Sequence, residues 1–280
     1  MNSQLSIAAD PVSFGQRLRW LLSDSWVLAR RNFAHIRQVP EKLLDVTLQP
    51  IMFTLLFAFV FGGVIAIPGG NYREYLIGGV LVQSLGFGVM GPATSIATDL
   101  GEGVIDRFRT LPMARAAYLI GFVAAEMAAV MVAITVLSLS GLIVGWGIYS
   151  DVLHALGGYG LLLLFAFAML WCGTFLGLSV RSPDAAGGVV FLVMFPMTFL
   201  ATTFVPIGGF SSVLRPIAAW NPISAMAAAV RTLFGNPVGQ VGGAEWPLQH
   251  PIAASVGWSV LLIVIFMPLA LRKFTKRTAD

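Results

Sequence analysis

The chain has 280 residues, 57% of them hydrophobic and 11% charged, with a formal net charge of +4. A water-soluble domain carries about 25% charged residues, so the polar surface needed to coat one is missing. The mean hydropathy of +0.84 points to an integral membrane protein, and the pI near 9.6 reflects where the basic residues fall rather than nucleic-acid binding.

Residues 14–37 read "FGQRLRWLLSDSWVLARRNFAHIR". Leu18, Leu22, Trp26, Ala29, Phe33 and Ile36 recur at steps of three and four, with arginines on much of the rest. The pattern predicts an amphipathic helix lying in the membrane interface and ended by Pro40. With Arg17, Arg19 and Asp24, and no apolar core before a cleavage site, this N-terminus is not read as a signal peptide.

Six apolar runs follow, at 43–67, 76–98, 117–145, 155–180, 186–206 and 251–271. Each suffices for a spanning helix of about 20 residues. The runs are continuous rather than alternating, which favours helices over a barrel. The expectation is therefore an all-α integral membrane protein with six transmembrane helices in one domain, 1–280.

The second span holds Gly86, Gly88, Gly91 and Pro92, so a kink is expected near Pro92. Its Gln83, Ser84, Thr94, Ser95 and Thr98 face either a polar lumen or a neighbouring helix. Between the second and third spans, 102–115 read "EGVIDRFRTLPMAR". Val104, Phe108 and Leu111 lie at i, i+4 and i+7 with Ile105 beside them, while Glu102, Asp106 and Arg109 make a polar row. Pro112 ends the pattern. The stretch reads either as a positively charged loop or as a short helix that docks on a partner through one apolar face.

The third span contains Glu126, a carboxylate costing about 2.5–3.5 kcal/mol if charged and unpaired. It is either a neutralised structural acid or a coupling and pathway residue. Gly141 and Gly145 in this span, and Gly173 and Gly177 in the fourth, have the spacing of close helix packing. The single cysteine, Cys172, forms no intrachain disulfide. The 207–250 segment predicts two short helices, 211–220 and 223–234, with Asn221 as cap and Pro222 at the first position of the second. Both are too short to span, so they are expected to be re-entrant or interfacial.

Fourteen of the 17 lysines and arginines fall on the side of the two termini and the 99–115 loop. The positive-inside rule makes that side cytoplasmic and the 207–250 segment extracytoplasmic. No G-x-x-x-x-G-K-[ST] loop occurs, and Lys42, Lys273 and Lys276 are the only lysines. His35, His154 and His250 are scattered, and no G-x-S-x-G elbow is present. No catalytic, cofactor-binding or metal set is therefore expected in this chain.

The loop "E-x-V-I-D-R-F-R-T-L-P-M-A-R", followed by a helix bearing Gly121 and Glu126, resembles the permease subunits of type 2 ABC transporters. The likeness is to the drug and antibiotic exporter branch that includes the daunorubicin-resistance permease. "RPIAAWNPISAMAAAVR" resembles that family's outer "NP…R" element, here Asn221, Pro222 and Arg231. Phe122 stands where a Lys is common in the family. The resemblance spans most of 15–275. It implies a permease working with two ABC ATPase subunits that carry ATP and Mg, and with a second permease chain, identical or different. It also implies a bacterial cytoplasmic membrane and hydrophobic drug, antibiotic or lipid cargo. Glu102, Val104, Asp106, Arg107, Phe108, Arg109, Leu111, Pro112 and Arg115 would form the coupling helix seated on the ATPase. A polysaccharide or lipid-linked glycan export permease of the same superfamily is the near alternative. An intramembrane lipid-modifying enzyme is the alternative of another class.

Overall fold

The structure is a computed structural model that describes residues 48, 51–52, 54–103, 115–239 and 245–277. The expected interfacial helix over 14–37 and residues 104–114 of the expected coupling helix lie outside the described residues. The helices are α1 (Tyr72–Phe87), α2 (Met90–Gly101), α3 (Arg115–Val144), α4 (Val152–Gly177) and α5 (Pro183–Phe199). Then come α6 (Leu214–Trp220), α7 (Pro222–Phe234), α8 (Trp246–Gln249) and α9 (Pro251–Arg277). The described part of the first expected span is helical over 54–60 and turns at 61–64, short of the expected end at 67.

Four helical stretches among the described residues are long and apolar enough to cross a membrane: Tyr72–Gly101, Tyr118–Val144, Val152–Gly177 and Pro251–Lys276. These match the second, third, fourth and sixth expected spans. The fifth is shorter than expected. Its helix runs for 17 residues, and residues 200–204 leave it in turns. The cause is long-range: those turns deliver two backbone carbonyls to a buried arginine on α7, described below.

The second span is broken, as its glycines and proline predict, one turn before Pro92. Pro92 is the third residue of α2 and has no N–H for the carbonyl of Gly88, four residues earlier. The break at Gly88–Val89 is tight, with both residues still in the right-handed helical region. The polar residues of this span mostly satisfy themselves. Ser84, Thr94 and Thr98 donate to the carbonyls of Val80, Met90 and Thr94, at 2.8, 2.9 and 3.0 Å.

The Gly173/Gly177 pair is a packing face. A Cβ at Gly173 would stand 2.4 Å from the Val89 carbonyl oxygen, and one at Gly177 would stand 2.7 Å from that of Ala93. This lets α4 lie directly on α2. Gly141 and Gly145 divide their roles instead. Gly141 packs on Ile77, whereas Gly145 follows the end of α3 with φ +96 and nothing within 4 Å of a Cβ. α9 packs mainly on α4 and otherwise carries exposed apolar side chains such as Val260, Val264 and Ile265, the surface of a helix facing lipid.

The two short helices expected before α9 are present, the first starting at Leu214 rather than 211, but they differ in burial. α6 buries Ala218 and Ala219 and exposes Leu214, Ile217 and Trp220. An exposed apolar face with a tryptophan, joined by exposed Trp246, suits a membrane interface. α7 is buried over nearly its whole length, between α1, α4 and α9.

Candidate functional site

Three groups of residues are singled out by the sequence: the 102–115 stretch, Glu126 and the outer element. At the first, the described residues show the frame that holds the stretch. α2 ends at Gly101, Glu102 is exposed, and Gly103 turns the chain with φ +67. Arg115 opens α3 on the return. The Tyr118 hydroxyl donates to the Asp99 carboxylate and ties the two flanking helices together. Tyr118 also stacks on Phe274 of α9, centroids 5.7 Å apart. Beside it, Lys273 donates to the Ser179 hydroxyl at 2.8 Å and lies 5.3 Å from the Phe175 ring centroid. The ends of α2, α3, α4 and α9 thus meet at one basic end, where the described residues flanking 104–114 also lie. Val104, Asp106, Arg107, Phe108, Arg109, Leu111 and Pro112 belong to the residues not described.

Glu126 is partly buried on α3 and faces the break in the second span. One carboxylate oxygen is 3.4 Å from where a Cβ on Gly91 would stand. A Cβ there would stand in ordinary van der Waals contact with the carboxylate. Phe122 is buried in an apolar cluster with Tyr118 and Val123.

The outer element is densely hydrogen-bonded. Asn221 caps α7, its side-chain oxygen accepting from the Ile223 N–H at 2.9 Å. Its amide donates to the Met197 and Leu200 carbonyls at 2.7 and 3.2 Å, closing the end of α5. Pro222 is the first residue of α7, where its missing N–H costs nothing. Arg231 is fully buried, although it counts as an outer charge in the sequence. Its Nε donates to the Tyr75 carbonyl at 2.8 Å. Its Nη1 and Nη2 donate to the Thr202 and Thr203 carbonyls, each at 2.9 Å. The guanidinium also lies over the Tyr75 ring at 3.5 Å. Among the described residues no carboxylate pairs with it, so carbonyl dipoles and a ring face carry the neutralisation that a buried cation requires. Sequence reading selects Arg231 but misses its cage of Tyr75, Thr202, Thr203 and the glycines 78 and 79. The available signal is the arginine itself, since a lone cation in an apolar helix demands partners.

On the same side, the 145–151 connection is pinned to α7. Trp146 donates to the Asn236 side chain at 2.7 Å, and Asn236 donates to the Gly147 carbonyl at 2.8 Å. Tyr149 donates to the Glu74 carboxylate at 3.0 Å, a bond that raises the phenol above its usual range.

Between α4, α5, α9 and the start of α7 lies an apolar cavity of about 330 Å³. Val89 at the helix break, Phe175, Met194 and Ile223 contribute to its wall.

The family model described as ABC-2 type transporter matches residues 24–234. The chain is 29% identical over 249 residues to the daunorubicin resistance ABC transporter permease protein DrrB1 of Streptomyces coeruleorubidus, covering 89% of this chain and 85% of that one. It is 25% identical over 248 residues to the doxorubicin resistance ABC transporter permease protein DrrB of Mycobacterium tuberculosis, with 86% and 84% covered.

Proposed function

The chain belongs to the ABC-2 type transporter family, and from that membership we propose that it is the membrane-spanning subunit of an ATP-driven exporter of hydrophobic drugs, antibiotics or lipids. The family implies a partner ABC ATPase. The observation that carries the reading is the match along most of the chain to drug-resistance permeases, joined to a basic end that holds the 102–115 stretch. Two ATPase subunits would seat there, supplying ATP and Mg, and two permease chains would enclose the path. Both termini and the stretch then face the cytoplasm of a bacterial cell, and hydrolysis occurs on the partner alone.

In this reading Phe108 anchors the stretch in a pocket of the ATPase, and Arg107 and Arg109 meet acids or carbonyls at its rim. ATP binding biases the two permeases between inward- and outward-open forms only because the ATPase binds those forms with different free energies. Asp99 and Tyr118 hold the helices that transmit this bias, and Glu126 sits at the break they act on.

The test is co-expression with an ABC ATPase, reading co-purification, ATP hydrolysis and export of a fluorescent anthracycline. Expected are a stable complex, no hydrolysis by the permease alone, and loss of ATPase association in Phe108→Ala with membrane insertion intact. Retention of the ATPase and normal export in both Phe108→Ala and the double variant Arg107→Ala/Arg109→Ala would reject the docking role.

A further inference from the structure

The apolar cavity has a shape and a neighbour that the export reading does not use. Its volume, about 330 Å³, is in the range of ligand pockets rather than packing defects. Cys172 and Met194 are typical of its lining, which presents no charged side chain. Such a lining offers a water molecule no hydrogen-bond partner.

The cavity opens sideways. α9 packs on α4, whereas α5 packs mainly on α2 and touches α4 only slightly. Of the α5 residues that line the cavity, Val189 is 40% and Val193 46% exposed. That mouth lies between helices whose outer faces are apolar, so it opens to hydrocarbon.

A cation stands at one end. Phe175 lines the cavity, and its ring is 5.6 Å from that of Phe266, another lining residue. Above Phe175, on the next turns of α9, the Lys273 ammonium lies 5.3 Å from the ring centroid. Its one side-chain hydrogen bond among the described residues goes to the neutral Ser179 hydroxyl, at 2.8 Å. An ammonium has three donors, so two remain for a ligand. Lys273 belongs to the basic end of the molecule, where α9 approaches its terminus.

An apolar slot open to lipid, with a lysine one ring away at the membrane-surface end, is complementary to one class of molecule. We propose that this cavity is a binding site for an anionic phospholipid of the leaflet at the basic end. One acyl chain enters between α5 and α9, and the phosphate is held by Lys273. The lipid lies against Val89 at the break of the second span, so it touches the element on which Glu126 also bears. The site is independent of which cargo the transporter carries.

The test uses the full chain in phosphatidylcholine nanodiscs. These are doped with a trace of diazirine-bearing phosphatidylglycerol or of phosphatidylcholine with the same acyl chains. After photolysis, labelled peptides are mapped by mass spectrometry. Expected is labelling concentrated on the cavity segments of α4 and α5, about fivefold stronger for phosphatidylglycerol, the preference one basic residue gives near an anionic headgroup. Lys273→Gln brings that ratio to about one without moving the labelled positions, whereas Lys276→Gln, exposed on the same helix, leaves it unchanged. Val193→Trp, which fills the mouth, removes cavity labelling by both lipids. Labelling near Ile143, 87% exposed on α3, persists in that variant and reports that it is folded. Equal labelling by the two lipids in the wild type, an unchanged ratio in Lys273→Gln, or labels spread evenly over the lipid-facing surface would overturn the proposal.

Discussion

Arg231 and Tyr75 are bound twice over: the guanidinium lies 3.5 Å from the tyrosine ring centroid and donates at 2.8 Å to the carbonyl of the same residue. The tyrosine hydroxyl then donates to the Thr202 carbonyl at 2.7 Å, which also accepts from Arg231. One side chain therefore joins α1, α7 and the turns after α5. Arg231→Met takes one donor from each of three buried carbonyls, of which Thr202 keeps the Tyr75 hydroxyl, and is expected to cost on the order of 3–5 kcal/mol. Arg231→Lys fails nearly as badly, since a single ammonium cannot reproduce the planar fork. Tyr75→Phe loses one hydrogen bond, about 1 kcal/mol. Thermal unfolding in detergent should rank the variants in that order; wild-type stability in Arg231→Met would refute the keystone role.

Glycines test the same cage from the other side. A Cβ on Gly79 would stand 2.2 Å from the Thr203 carbonyl oxygen and 2.7 Å from Arg231 Nη2. Gly79→Ala must displace backbone and is expected to lower the melting temperature sharply. Gly257→Ala meets nothing within 4 Å on α9. It should be neutral or stabilise by up to about 1 kcal/mol through helix propensity. Equal melting temperatures for the two variants would show that the cage is loose.

Glu126→Gln keeps the shape of the side chain and removes its charge at the break of the second span. Expression and insertion should be normal and export reduced several-fold. Export at the wild-type rate would assign Glu126 a structural role only.

Tyr118→Phe removes the hydroxyl that ties α3 to Asp99 on α2 while keeping the stack on Phe274. The ATPase should still co-purify, but hydrolysis should run with less cargo moved per ATP. A ratio of transport to hydrolysis equal to that of the wild type would remove this pair from the coupling route.

What could be read in the sequence was local chemistry. The cap at Asn221 and the proline at 222 follow from short-range rules, and both are met. The Gly173/Gly177 face and a broken second span were legible for the same reason. The length of the fifth helix was not, because residues 200–204 unwind to serve an arginine about 30 positions away. Nor was the split role of Gly141 and Gly145, since spacing does not tell a packing glycine from one that ends a helix. The docking role of residues 104–114 stays an expectation on their pattern, while Asp99 and Tyr118, on the helices that flank them, carried no motif and emerged only from packing.

The break at Gly88–Val89 divides one membrane crossing into two arms held by different contacts. The first arm, α1, is clamped by the Arg231 cage near its start. The second arm, α2, packs on α4 and α5 and has 12 residues, roughly 18 Å at the helical rise. Swinging that arm by about 10° about the break carries its tip roughly 3 Å while the clamped arm stays in place. A push applied at Asp99 would thus be spent at the pivot, where Val89 borders the apolar cavity and Gly91 borders Glu126. The two ends of this crossing are therefore anchored separately, α1 by the Arg231 cage and α2 by the Asp99–Tyr118 bond and the glycine face of α4.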